Sequence, residues 1–124
     1  MDQLIKKTVE RLVHIAYDFY RVDKSEFTLL SESGYFELYN QINENEIKEV
    51  LKEYPHLIED WLRISEDIRS SERWYFARGN DGKFYVGHYP ELEKFKEINT
   101  TDEFYACATF IKRDAEFTRI LFKK

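Results

Sequence analysis

Trp74-Tyr75-Phe76-Ala77 and Phe84-Tyr85-Val86 stand on either side of Gly79-Asn80-Asp81-Gly82. Two short aromatic and β-branched runs around a Gly-containing loop are the signature of a β-hairpin, here spanning Arg73 to Tyr89. Side chains alternate between the faces of such a ribbon. Trp74 and Phe76 therefore point one way and Tyr75 the other, and Phe84 and Val86 alternate with Tyr85 and Tyr89. Both faces are aromatic. One has to cover the core, and the other is either buried by further elements or offered to a partner.

C-terminal to the hairpin, the Tyr89-Pro90 break is followed by an extended piece around Phe95 to Ile98 that suits a third strand. Thr100 and Glu103 have the spacing of a capping box. They open a final helix from about Asp102 to Phe122, with Phe104, Ala108, Ile111, Ala115 and Phe122 on one stripe. Cys107, Phe110, Phe117 and Leu121 widen that stripe to nearly half the circumference, which predicts deep packing against the sheet. Asp114 alone spoils the apolar arc. It marks a bend, a buried pair with a Tyr or Arg, or a contact surface.

N-terminal to the hairpin the period is helical. Leu4, Ile5, Val9, Leu12, Ile15, Ala16, Phe19 and Tyr20 share one broad face, predicting a helix from Asp2 to Tyr20 that ends at Val22-Asp23-Lys24-Ser25. Phe27-Thr28-Leu29-Leu30 is too short for its type to be settled. Ser31-Glu32-Ser33-Gly34 is a turn, and Tyr35 to Ile42 reads as a short helix. Asn43 is an N-cap, with Glu44 and Glu46 in the first turn where carboxylates suit the dipole. Ile47, Val50, Leu51 and Tyr54 follow at helical spacing, and Pro55 ends that helix and opens the next. From His56 to about Arg69 the stripe is Leu57, Trp61, Ile64 and Ile68, with Glu59, Asp60, Glu66 and Asp67 pointing away. Helices, then a small antiparallel sheet built on the hairpin, then a C-terminal helix packed on it: this is an α+β fold.

At 124 residues the chain is a single domain, 1–124, with four Gly and two Pro and hence few, short loops. No apolar run reaches a membrane span, charged side chains interrupt any leader at the N-terminus, and one Cys cannot form an internal disulfide. These features fit a cytoplasmic protein that does not enter a membrane. The net charge of −5 is unevenly distributed. Residues 31–72 hold four basic and eleven acidic side chains, a net of −7, whereas the residues before them cancel and those after are slightly basic. An acidic surface repels phosphate backbones, which disfavours direct nucleic-acid binding, and steers basic partners.

Chemistry-bearing patterns are sparse. The four glycines make no phosphate loop, and one Cys with three distant His does not make a zinc site. Asn43-Glu44-Asn45-Glu46 lacks the central Gly of a calcium loop. No metal, cofactor or catalytic residue is therefore expected. His14 and His56 read as surface residues and Cys107 as a packed thiol. His88, near Glu72, Arg73 or Arg78, is the one imidazole in an aromatic setting, and an acid/base pair there would give a small RNA-processing enzyme.

The stretch Pro55-His56-Leu57-Ile58-Glu59-Asp60-Trp61-Leu62, through Ser65-Glu66-Asp67 and Trp74-Tyr75-Phe76 to Gly82-Lys83-Phe84-Tyr85-Val86-Gly87 and Tyr89-Pro90, resembles small bacterial immunity proteins. These belong to contact-dependent growth inhibition and related polymorphic toxin systems. The resemblance covers about a third of the chain. It implies a non-enzymatic protein that binds the C-terminal toxin domain of a partner made by the same cell, often a nuclease. Charge and exposure, independently of that resemblance, nominate Glu44, Glu46, Glu59, Asp60, Glu66 and Asp67 for contact with a basic domain in a one-to-one complex. Tyr75, Tyr85 and Tyr89 would add apolar anchors. The remaining class is a non-catalytic adaptor without a toxin.

Overall fold

A computed structural model describes residues 1–68 and 72–122. Asp2 caps α1 (Gln3–Val13), its carboxylate accepting the Leu4 N–H at 2.8 Å. The single helix expected up to Tyr20 is divided at His14, after which α2 (Ile15–Phe19) continues. His14 Nδ1 lies 2.6 Å from the Glu10 carbonyl, while the backbone bond to the same oxygen is stretched to 3.3 Å. The ring competes with the helix ladder at that point. It is half-buried rather than on the surface, packed edge-on against Tyr54 at 4.7 Å.

The undecided segment is helical: α3 (Glu26–Glu32) starts from a Ser25 cap. Gly34 then reverses the chain at φ +92°, where a Cβ would sit 3.1 Å from Thr8 Oγ1. The short helix beyond it is α4 (Tyr35–Leu38), finished by a 3-10 turn over Tyr39–Gln41. Asn43 caps α5 (Glu44–Glu53) and Glu46 reaches back to the Asn43 N–H at 3.1 Å, completing a reciprocal box. The following helix, α6, spans Leu57–Asp67. Arg69, its expected end, lies outside the described residues.

The hairpin forms as expected: β1 (Arg73–Arg78) pairs antiparallel with β2 (Phe84–Tyr89), Trp74 opposite His88 and Phe76 opposite Val86. The third strand, β3 (Ile98–Thr100), lies later in the chain than expected, with Ile98 opposite Val86 and strand order β1-β2-β3. Phe95 is instead turned beneath the sheet end, 5.1 Å from Trp74 and 4.7 Å from His88. Its backbone pairs locally with Leu92, at 2.9 Å, rather than with β2. The last helix, α7 (Glu103–Leu121), is capped by Asp102, whose carboxylate accepts from Phe104 and Tyr105 at 3.1 Å. This corrects the expected Thr100 cap. Thr100 Oγ1 instead accepts the Asp102 N–H at 3.1 Å and sets the cap in place.

The inner sheet face (Trp74, Phe76, Phe84, Val86, His88) packs on α7, whose Ala106 to Ile111 and Ala115 are buried. Phe110 stacks on Phe76 at 5.8 Å and meets Trp61 edge-on at 6.0 Å. Trp61 in turn donates to the Val13 carbonyl at 2.8 Å, joining α6 to α1. The stripe ends before Phe122, which is 60% exposed and leans on Phe27 at 4.4 Å. Replacing Ile111, 1% exposed at the centre of this packing, by Asp buries an unpaired charge and lowers stability by several kcal/mol. Thermal unfolding followed by circular dichroism checks this, and an unchanged melting temperature contradicts the packing.

Candidate functional site

An open groove of about 930 Å³ lies between α6 and β1. Its position follows from one hydrogen bond. The Phe76 N–H points away from β2 and is accepted by Ser65 Oγ at 2.7 Å, which fixes α6 alongside the outer edge of β1. The hydroxyl is almost fully buried, so the bond is shielded from water. Above that seam α6 contributes Glu59, Arg63 and Glu66, while β1 contributes Arg73, Tyr75 and Arg78, and Tyr89 closes one end.

The groove is of mixed charge. Arg78 donates to Glu59 across it. Arg63 lies over the Tyr20 ring at 3.9 Å and its Nε is 3.7 Å from Asp67. The Tyr20 hydroxyl donates to Asp67 at 2.6 Å; burial first, and then this bond, push the phenol up to about 12. Arg73 reaches the Trp74 carbonyl at 3.0 Å.

Of the nominated contact residues, the fold brings Glu59, Glu66, Tyr75 and Tyr89 together along the groove. Asp67 lies exposed at the end of α6, and Asp60 is half-buried on that helix away from the groove-lining set. Glu44 and Glu46 are elsewhere. Their helix packs on α7 and α1, whereas α6 packs on β1 and α2. Glu46 is also occupied by its cap. The two acidic helices therefore do not present one continuous face. Tyr85 is half-buried on the outer sheet face, donating to Asp81, a bond that holds the phenol up and the carboxyl down. Tyr75 lies across Gly87, where a Cβ would collide with its hydroxyl, and donates to Glu97. Burial, followed by that carboxylate, raises the Tyr75 phenol. Tyr89 is 65% exposed and is the apolar side chain most available to a partner.

The arginines were not nominated as contact residues from sequence, where Arg73 and Arg78 were named only beside His88. Arg63 precedes Asp67 by four residues, and that spacing was a legible sign of the pair they form. Tyrosine–carboxylate bonds recur elsewhere, with Tyr35 donating to Glu116 at 2.6 Å and Tyr54 to Glu10 at 2.9 Å.

His88 does not assemble an acid/base pair. Its ring is 4% exposed, walled by Trp74, Phe95 and Phe117, with Nδ1 2.9 Å from the Pro90 carbonyl. Nε2 is buried without a hydrogen-bond partner. Cys107 is buried in α7, and burial pushes its thiol well up. Among the described residues no three His, Cys, Asp or Glu side chains are grouped to hold a metal ion, and no helix is long and apolar enough to cross a membrane.

Comparison of the chain with protein-family models, with curated proteins and with solved structures finds no match. The groove therefore has to be interpreted from its own geometry. Ser65→Ala leaves the Phe76 N–H without an acceptor and lowers stability by about 1–3 kcal/mol. Glu59→Gln removes an ion pair whose side chains are 49% and 68% exposed and changes it by less than about 1 kcal/mol. Urea denaturation of both variants measures the contrast; equal losses would mean the seam does not position the groove.

Proposed function

We propose that this chain is an immunity protein, a stoichiometric inhibitor that binds and neutralises the C-terminal toxin domain of a contact-dependent growth inhibition system in the cytoplasm. One observation carries the reading. Glu59, Glu66, Tyr75 and Tyr89 converge on an open groove whose backbone is fixed by a helix and a strand. A surface of carboxylates, Glu59 among them held by Arg78, with an exposed aromatic at one end suits capture of a basic protein cleft. In a nuclease toxin, Glu59 and Glu66 take the positions of substrate phosphates. Arg78 and Arg63 hold neighbouring carboxylates in place, and Tyr89 supplies the apolar anchor. The acidic excess of residues 31–72 speeds the encounter even where its members do not touch the partner. The sealed Nε2 of His88 gives RNA processing less support than protein binding.

The test uses the purified chain and the toxin domain encoded by the gene immediately upstream. A one-to-one complex is expected, with an association rate that falls as salt shortens the ~8 Å screening length of physiological buffer. Reversing Glu59, Asp60, Glu66 and Asp67 to Lys slows association further while the fold persists. Failure to bind, or RNA cleavage by the chain that is lost in His88→Ala, sinks the reading. A rate indifferent to salt and to the reversal moves the interface to Tyr75, Tyr85 and Tyr89.

A further inference from the structure

Two carboxylates, Glu26 and Asp114, meet in the fold although they lie far apart in the sequence. Glu26 opens α3 and Asp114 interrupts the α7 stripe, and both line the same two small cavities, of about 160 and 140 Å³. The walls supplied by α1, α2 and α6 are apolar, among them Leu12, Ile15, Trp61 and Ile64. The charged groups facing the pair come from the other side: Arg73 of β1, and Glu72 just before it. The Arg73 charge acts on both carboxylates.

We propose that α3 is a proton-operated latch: a proton retained by the Glu26–Asp114 pair keeps α3 docked over the Leu12–Ile15–Trp61 cavity, and loss of that proton releases it. With one proton on the pair, its single negative charge faces the Arg73 guanidinium. When the last proton leaves, both carboxylates are charged between apolar walls, with Glu72 lining one of the same cavities, and like charges repel strongly where water is scarce. Moving Glu26 to solvent relieves this. The move is opposed by the packing of the seven-residue α3 on α2 and α4 and by the burial of Leu30, 5% exposed. Beyond the end of α7, Phe27 meets Phe122 at 4.4 Å on the surface.

Titration has the direction this requires. Burial, then the Asp114 charge, raises the Glu26 carboxyl, and Arg73 only partly offsets the rise; burial raises Asp114 against the same guanidinium. The two titrate as a coupled pair. Groups raised in the folded state contribute stability that is full below the ordinary carboxylate range. That contribution is lost as pH climbs through the raised values. Docking therefore weakens on the alkaline side.

Amide hydrogen exchange of the full chain, expressed as protection relative to the unfolded rate at each pH, tests the latch. Between about pH 6 and about pH 9, protection of the Leu29 and Leu30 amides is expected to fall at least about tenfold. That of Val50 and Leu51 in α5 should stay level. In Glu26→Gln the α3 amides should remain protected throughout. Protection in α3 that tracks α5 in the wild type, or an undiminished fall in Glu26→Gln, overturns the proposal. Carbon-13 carboxyl titration of the wild type is a second reading that needs no variant. Glu26 and Asp114 should titrate later than the other carboxylates, and a pair that titrates with them overturns it equally.

Discussion

The contact of Phe110 with Phe76 and Trp61 is the constraint from which the rest of the fold follows. A ring 2% exposed in the middle of α7 touches the sheet on one side and α6 on the other. Trp61 carries the connection to α1 through its indole N–H. Sheet, central helices and N-terminal helix are thereby fixed by two aromatic contacts and one hydrogen bond in a dry interior, where packing tolerates little change of volume. The groove inherits its shape from this arrangement, since α6 can lie along β1 only while Trp61 and Ser65 are both seated.

Local signals made most of the fold legible. The hairpin, the Asn43 cap and the Pro55 break are each set by a few adjacent residues, and each stands where the sequence places it. Errors arose where a side-chain contact outweighed the periodic pattern. Periodicity ran through His14 because it cannot register a ring that competes for the Glu10 carbonyl. Phe95 looked like strand because its burial against Trp74 and His88 depends on residues far along the chain. Asp102 and Thr100 exchanged expected roles for a smaller reason, a choice between two adjacent oxygens. The short α3 falls below the length at which a helical period can be counted.

The candidate site was legible in part. Glu59, Glu66, Tyr75 and Tyr89 belong to segments that the chain brings together only through the α6–β1 seam, and charge counting found them without that geometry. The same counting joined Glu44 and Glu46 to the group, although their helix faces other neighbours. It also passed over Arg63, Arg73 and Arg78, because a net charge conceals cations that stand among carboxylates. Asp114 was the most informative single letter. An acid in an apolar arc signalled a bend, a buried pair with a Tyr or Arg, or a contact surface, and only the fold could place Glu26 beside the same cavities.

The Ser65 hydroxyl has a consequence for how the sheet meets other molecules. An exposed strand edge is a template on which any second chain can add backbone hydrogen bonds, largely regardless of its sequence. Here the outward N–H of Phe76 is already taken, α6 lies along that margin, and β3 at the far margin is three residues long. The β1 margin is thus guarded and the β3 margin is short, so backbone pairing has little to extend. A partner that engages the groove meets side chains, where discrimination between partners resides.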